Sequence, residues 1–183
     1  MVRRIYALVI AALIINLTLN AQAKRFEADK KQSEISYKLT HPLHEIDAVS
    51  KDASVWIDLN QANRLIQKAF VQIPVTSFNS GNSNRDSHAM EVIDAITYPE
   101  VRFTSTSISQ KGDSLKITGN LTFHGVTKPV SIYAAEAWNQ DNLTVNGKFD
   151  ISLTAFKVDR PSLLGVPVKD DLQFTFKQIF NVK

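Results

Sequence analysis

Apolar and polar residues alternate with a period of two through most of this chain, the signature of half-buried β-strands. Within residues 33–41, Ile35, Tyr37 and Leu39 share one face, while Glu34, Ser36, Lys38 and Thr40 share the other. Residues 51–59 align Ala53, Val55, Ile57 and Leu59, with Trp56 pointing oppositely. Residues 67–76 align Ala69, Val71, Ile73 and Val75. A fourth run carries Val101, Phe103 and then polar Ser105, and a fifth, over residues 114–124, carries Leu115, Ile117, Gly119, Leu121 and Phe123. Val130, Ile132 and Ala134 make a sixth face, and Leu143, Val145, Gly147, Phe149, Ile151 and Leu153 a seventh. Leu172, Phe174 and Phe176 make the eighth, with Ile179 off phase and assigned to a bulge.

Eight strands follow, separated by turn residues at Lys111-Gly112-Asp113, His124-Gly125, Thr127-Lys128-Pro129 and Asn139-Gln140-Asp141-Asn142. Short connections favour antiparallel neighbours. One segment breaks the pattern. Asn84 is a candidate cap for a short helix near residues 84–94, with Met90, Val92 and Ile93 giving it a partly apolar face. Tyr98-Pro99 then restarts extended chain. Residues 163–171 read as an exposed loop. The expected fold is all-β, an eight-stranded antiparallel barrel with one short helix. A closed sheet of eight strands encloses room for side chains alone or for one small ligand. Ala69, Gly119, Ala134 and Gly147 would leave space in it, although a solid core or a β-sandwich uses the same residue types.

The first residues read as a signal peptide: Arg3 and Arg4, an apolar stretch over residues 5–19, and the cleavage pattern Ala21-Gln22-Ala23. The apolar run spans 15 residues, short of the roughly 20 that a spanning helix needs. Cleavage after Ala23 would leave residues 24–183 as one domain and lower the formal charge from +3 to +1. A nucleic-acid partner loses its main support thereby. The chain has no cysteine, which removes disulfides, thiolate metal sites, cysteine nucleophiles and lipidation at cysteine. The expected location is the periplasm.

Three stretches carry a resemblance: Arg85-Asp86-Ser87-His88, the run from Tyr98 to Thr106 (YPEVRFTST), and the run from Gly119 to Val130 (GNLTFHGVTKPV). In these words and their spacing the chain resembles the YceI-like, polyisoprenoid-binding family, from about Ser33 to the C-terminus. It departs from the family pattern after His41, where a glycine is absent, and at Pro161-Ser162-Leu163-Leu164-Gly165. The resemblance implies a lipocalin-like barrel that binds or carries a long-chain amphiphile, such as a polyisoprenoid or other isoprenoid lipid. It makes Ile35, Tyr37, Leu39, Val71, Ile73, Phe103, Leu121, Phe123, Phe149, Ile151, Phe174 and Phe176 candidate pocket walls. A tail of roughly 20 buried atoms at about 0.3 kcal/mol each would supply about 6 kcal/mol, a Kd of tens of micromolar.

The polar residues carry two readings each. Arg85 is a candidate for a phosphate head group as a bidentate donor, or for bonding loop carbonyls, with Asp86 favoured by the helix dipole. His88 is the second head-group candidate, and it and His124 could equally brace loops. His41 and His44 form H-x-x-H off any predicted helix, with no carboxylate at a recognisable spacing for a metal site. No nucleophile elbow surrounds a serine and no phosphate loop follows a strand. No catalytic residue, cofactor or metal is assigned. Two rivals remain. One is a stress-related interaction module with a filled barrel that meets a membrane protein partner. The other is a histidine-based metalloenzyme, which needs three ligands converging in space.

Overall fold

The computed structural model describes residues 22–183, so the signal-peptide expectation falls almost wholly outside the described residues. Twelve strands and one α-helix follow in chain order. They are β1 (Lys24–Glu27), β2 (Glu34–His41), β3 (His44–Ser50), β4 (Ser54–Asn60), β5 (Leu65–Pro74), α1 (Ser83–Val92), β6 (Glu100–Lys111), β7 (Ser114–Phe123), β8 (Val126–Asn139), β9 (Asn142–Ser152), β10 (Ser162–Leu163), β11 (Val166–Pro167) and β12 (Asp171–Asn181). Ten of the strands form one antiparallel sheet in the order β1-β4-β5-β6-β7-β8-β9-β12-β2-β3. The eight strands predicted by alternation are all present. The sheet exceeds them by β1 and β3, two short strands at its ends.

The sheet curls into a lipocalin-like half-barrel. At one end β1 closes it: β1 pairs with β4, and beyond it Ala28 bridges Phe180 of β12, with the Asp29 amide donating to the Ile179 carbonyl at 2.8 Å. The β2–β3 hairpin forms the other edge of the sheet, its tip held by the Lys169 amide donating to the Thr40 carbonyl at 2.8 Å. The bridge between Val49 and Asn79 and the bond between the Ser50 and Ser77 hydroxyls at 2.6 Å tie β3 to the chain that follows β5. That chain, with α1, occupies the gap and forms one side of the mouth. The helix begins two residues earlier than the Asn84 cap would place it, because Asn82 supplies the cap: its side-chain oxygen accepts from the Arg85 amide at 3.1 Å.

Tight turns set the registers of the long strands. His124 and Gly125 both take positive φ, +48° and +71°, the mirror-image turn whose twist matches the flanking strands. β12 pairs with β9 from Asp171 to Asn181 without a shift. Ile179 therefore sits behind no bulge. It faces outward in regular register, and the inward position between Phe176 and Phe180 belongs to Gln178. Residues 163–171 are not simply a loop either. They contain all of the β10–β11 hairpin but Ser162, and then Val168, which is buried and held by the Arg160 Nε donating to its carbonyl at 2.8 Å.

The interior is packed unequally. Leu59, Leu115, Leu143 and Phe180 are fully buried at the end that β1 closes, making a dry floor. Above it the inward side chains stop meeting across the barrel. Two glycines let aromatic rings lie flat on the wall there: a Cβ on Gly119 would overlap the Phe103 ring and the Thr104 carbonyl, and one on Gly147 would overlap the Phe176 ring. The Thr104 carbonyl is backbone and cannot yield, whereas the Phe176 ring can turn. We expect Gly119→Ala to lower stability by about 1–3 kcal/mol and Gly147→Ala to cost less, a ranking that urea denaturation of the two variants checks.

Candidate functional site

Above the floor lies a cavity of about 590 Å³ that extends to α1 and the tips of the β2–β3 and β10–β11 hairpins. Its walls are the inward rows of the strands. All twelve apolar positions singled out by alternation and resemblance lie on this lining, from Ile35, Tyr37 and Leu39 in β2 to Phe174 and Phe176 in β12. Phe149 and Phe174 stack nearly parallel, with ring centroids 5.1 Å apart. Neighbours that the resemblance did not single out complete the wall, among them Ile46, Phe78, Val101 and Val168. Phe78 lies in a non-repetitive segment, and Ile46 in a strand whose inward row, Ile46, Ala48 and Ser50, is too small and polar to signal burial.

Polar groups gather at the mouth. Arg85 and His88 both reach the lining from α1, beside Asn82, Asn84 and His44. Arg85 is already engaged: its Nε donates to the Ser80 hydroxyl at 2.9 Å and its guanidinium to the Ser80 carbonyl at 2.8 Å. The same hydroxyl donates to Asp86, which also accepts from the Ser80 amide. Adjacent Arg85 and Asp86 thus clamp one turn to the start of the helix. His88 is mostly exposed and stands 3.7 Å from Glu91. Tyr37 brings a hydroxyl into the cavity beneath them. Burial, above all, pushes this phenol above its ordinary 10.0; Asp86 adds to the rise and Arg85 opposes it. At neutral pH it is an uncharged donor and acceptor.

The histidines do not form a common centre. His41 is buried, its Nδ1 accepting from the Leu43 amide at 3.2 Å. Its Nε2 then carries the proton and donates to the Val166 carbonyl at 2.9 Å, tying the β2–β3 tip to the β10–β11 hairpin. His124 bonds the Phe156 carbonyl through Nδ1 at 3.1 Å and packs edge-on against Tyr98. Among the described residues, no three metal-ligating side chains converge.

Two buried polar side chains at the deep end escaped the sequence reading. Gln178 is 4% exposed and lines the cavity. Glu136, 6% exposed, sits on the inward face of β8, two positions past the run that ends at Ala134. Its Oε1 accepts from the Gln110 amide at 2.6 Å. Burial, the largest influence, raises the Glu136 carboxyl above its ordinary 4.5; Asp113 adds to the rise, and Trp138 and Gln110 oppose it. Trp138 also faces inward here, its ring under the Arg64 guanidinium at 4.6 Å.

Two expectations follow. Arg85→Ala should cost about 1–2 kcal/mol through the orphaned Ser80 groups, while His88→Ala should leave the melting temperature within error; thermal unfolding compares them. A raised folded-state pKa favours the protonated fold. The Glu136 contribution is therefore complete below the unfolded value, near 4.5, and is lost as pH rises through the folded value. Glu136→Gln should flatten the decline of melting temperature with pH across that window, as scans at a series of pH values would show.

The comparisons with known proteins agree with this architecture. The YceI-like domain model matches residues 26–180. Protein YceI of Salmonella newport is 31% identical over 128 residues, covering 67% of each chain. The crystal structure of Burkholderia cenocepacia BcnA superposes with a TM-score of 0.75 at 25% identity, over 83% of this chain and 98% of that one. The Campylobacter jejuni YceI protein gives 0.63 at 27% identity, over 73% and 83%. A polyisoprenoid binding domain from Saccharophagus degradans shares the fold, with a TM-score of 0.65 at 11% identity, over 86% and 98%. With its half-barrel, its apolar cavity and this match over nearly all of the described residues, the chain belongs to the YceI-like family.

Proposed function

We propose that this is a periplasmic lipid-binding protein, exported with loss of residues 1–23, that holds a long-chain amphiphile in its cavity. An isoprenoid lipid is the ligand class. The observation that carries this reading is the cavity itself: about 590 Å³ of space whose walls are almost entirely aliphatic and aromatic. An apolar cavity open to water has unfavourable walls until something apolar covers them. The polyisoprenoid binding of the Saccharophagus degradans domain, which shares this fold, is consistent with an isoprenoid occupant. The mouth groups Tyr37, Arg85 and His88 are the head-group candidates, with Arg85 lending only the donors that Ser80 does not occupy. No covalent chemistry is assigned.

A second reading has one observation behind it. Leu43, Leu163, Leu164 and Val166 are exposed at the adjoining tips of the β2–β3 and β10–β11 hairpins, Leu164 at 87%. Such a rim suits a membrane protein partner. A photoreactive group at position 164 that cross-links to one inner-membrane protein, with no lipid in the extracted cavity, would favour it.

Delipidated protein titrated with geranylgeraniol tests the leading reading. We expect one site with a Kd of tens of micromolar or tighter. Ala69→Phe places a ring in the lumen, and should weaken binding at least tenfold while leaving the circular dichroism spectrum unchanged. Unaltered affinity in that variant would place the ligand outside the cavity.

A further inference from the structure

Leu164 sits where neither the backbone nor the packing asks for a leucine. The β10–β11 hairpin turns on two residues, with Leu163 and Val166 as the register pair that closes it. Leu164 and Gly165 both take positive φ, +53° and +77°. That is the mirror-image turn, whose first position suits asparagine, aspartate or glycine. A bulky side chain there is held against its preference. Leu164 is also 87% exposed, so no burial offsets the strain. Strain of this kind at an exposed tip points to a partner that the tip meets. Leu164 does not stand alone. One imidazole joins two tips: the His41 Nδ1 accepts from the Leu43 amide, and its Nε2 donates to the Val166 carbonyl. Leu43, Leu163, Leu164 and Val166, all exposed, are therefore held side by side on an ordered backbone. Leu163 lines the cavity as well, so apolar surface passes from the lumen onto this rim.

We propose that the two hairpin tips dock on a lipid bilayer, with Leu43, Leu163, Leu164 and Val166 inserted among the acyl chains and the cavity mouth set against the membrane. Of the two membrane components such a rim could meet, the observations favour the bilayer. A stable protein interface takes about 20–30 residues a side. Four apolar side chains on two tips fall far short of that, whereas a bilayer accepts a small apolar insert of any shape. Charge attraction has no part in it. Around the two tips Lys38, Lys157, Arg160 and Lys169 are balanced by Glu45, Asp47, Asp159 and Asp170, with Lys38 paired to Glu45 at 2.7 Å. Apolar insertion carries the contact, so the docking tolerates salt and needs no anionic head group. Passage of a lipid between bilayer and lumen rests on the lipid-cavity reading above; the docking itself does not.

Flotation of the purified protein with phosphatidylcholine vesicles, no cavity ligand added, tests this. Wild type should float with the vesicles, and should do so equally at about 1 M salt, where the screening length is about 3 Å. Leu164→Asn puts the residue that the turn prefers at the tip. It should raise the melting temperature or leave it unchanged, while lowering the vesicle partition coefficient about tenfold. Leu43→Ser, on the other tip, should lower partitioning in the same direction, and serves alone if the first variant fails to fold. Wild type that stays off the vesicles, binding that vanishes at high salt, or variants that partition like wild type would each overturn the docking. So would binding confined to native membrane vesicles and abolished by protease treatment of them, which would assign the rim to a protein partner. None of these results touches the geranylgeraniol titration, on which the cavity reading stands or falls separately.

Discussion

An antiparallel sheet that curls on itself turns one face of every strand inward, and here those inward side chains do not fill what they enclose. Everything else in the molecule follows from that mismatch. At the closed end, where β1 bridges β4 and β12, Leu59, Leu115, Leu143 and Phe180 meet and make a core of ordinary density. Farther up, Gly119 and Gly147 flatten Phe103 and Phe176 against the wall. The space that results stays apolar and open. The hydrophobic effect that builds the floor thus also creates a demand for a guest above it.

The polar residues are distributed as that demand requires. Hydrophobic walls fix no orientation, so the few polar groups at the mouth of the lumen carry it. At the mouth Tyr37 offers a neutral hydroxyl, and Arg85 divides its donors between Ser80 and the opening. At the deep end Gln178 donates to the Glu34 carbonyl and Glu136 accepts from Gln110, so both are spent within the fold. The clamp of Arg85 and Asp86 on Ser80 also shows why a charged pair at a cavity mouth need not be a head-group site. The same residues hold the turn that brings α1 in beside the edge strand β3.

How much of this was legible follows from which signal each part carries. Period-two alternation exposed eight strands and, with the family resemblance, twelve of the wall positions, because inward residues in long strands are large and apolar. It passed over β1, which turns only Phe26 inward, and β3, whose inward row ends in Ala48 and Ser50. It also misread the end of β12. Ile179 looks out of phase, and a bulge is the natural remedy, but the strand continues straight and buries a glutamine instead. A polar residue in an apolar row is invisible to a search for apolar rows, which is why Gln178 and Glu136 emerged only from the fold. The helix was legible, yet its cap was not, since Asn82 and Asn84 are equally good caps in isolation and the turn at Ser80 decides between them.

The central claim is that the lumen is made to be occupied. Native mass spectrometry of the protein purified from its own cell, without detergent, measures this directly. The account predicts a chain beginning at Lys24 that carries one apolar molecule, released by organic solvent. A bare polypeptide mass from intact, folded protein would contradict it.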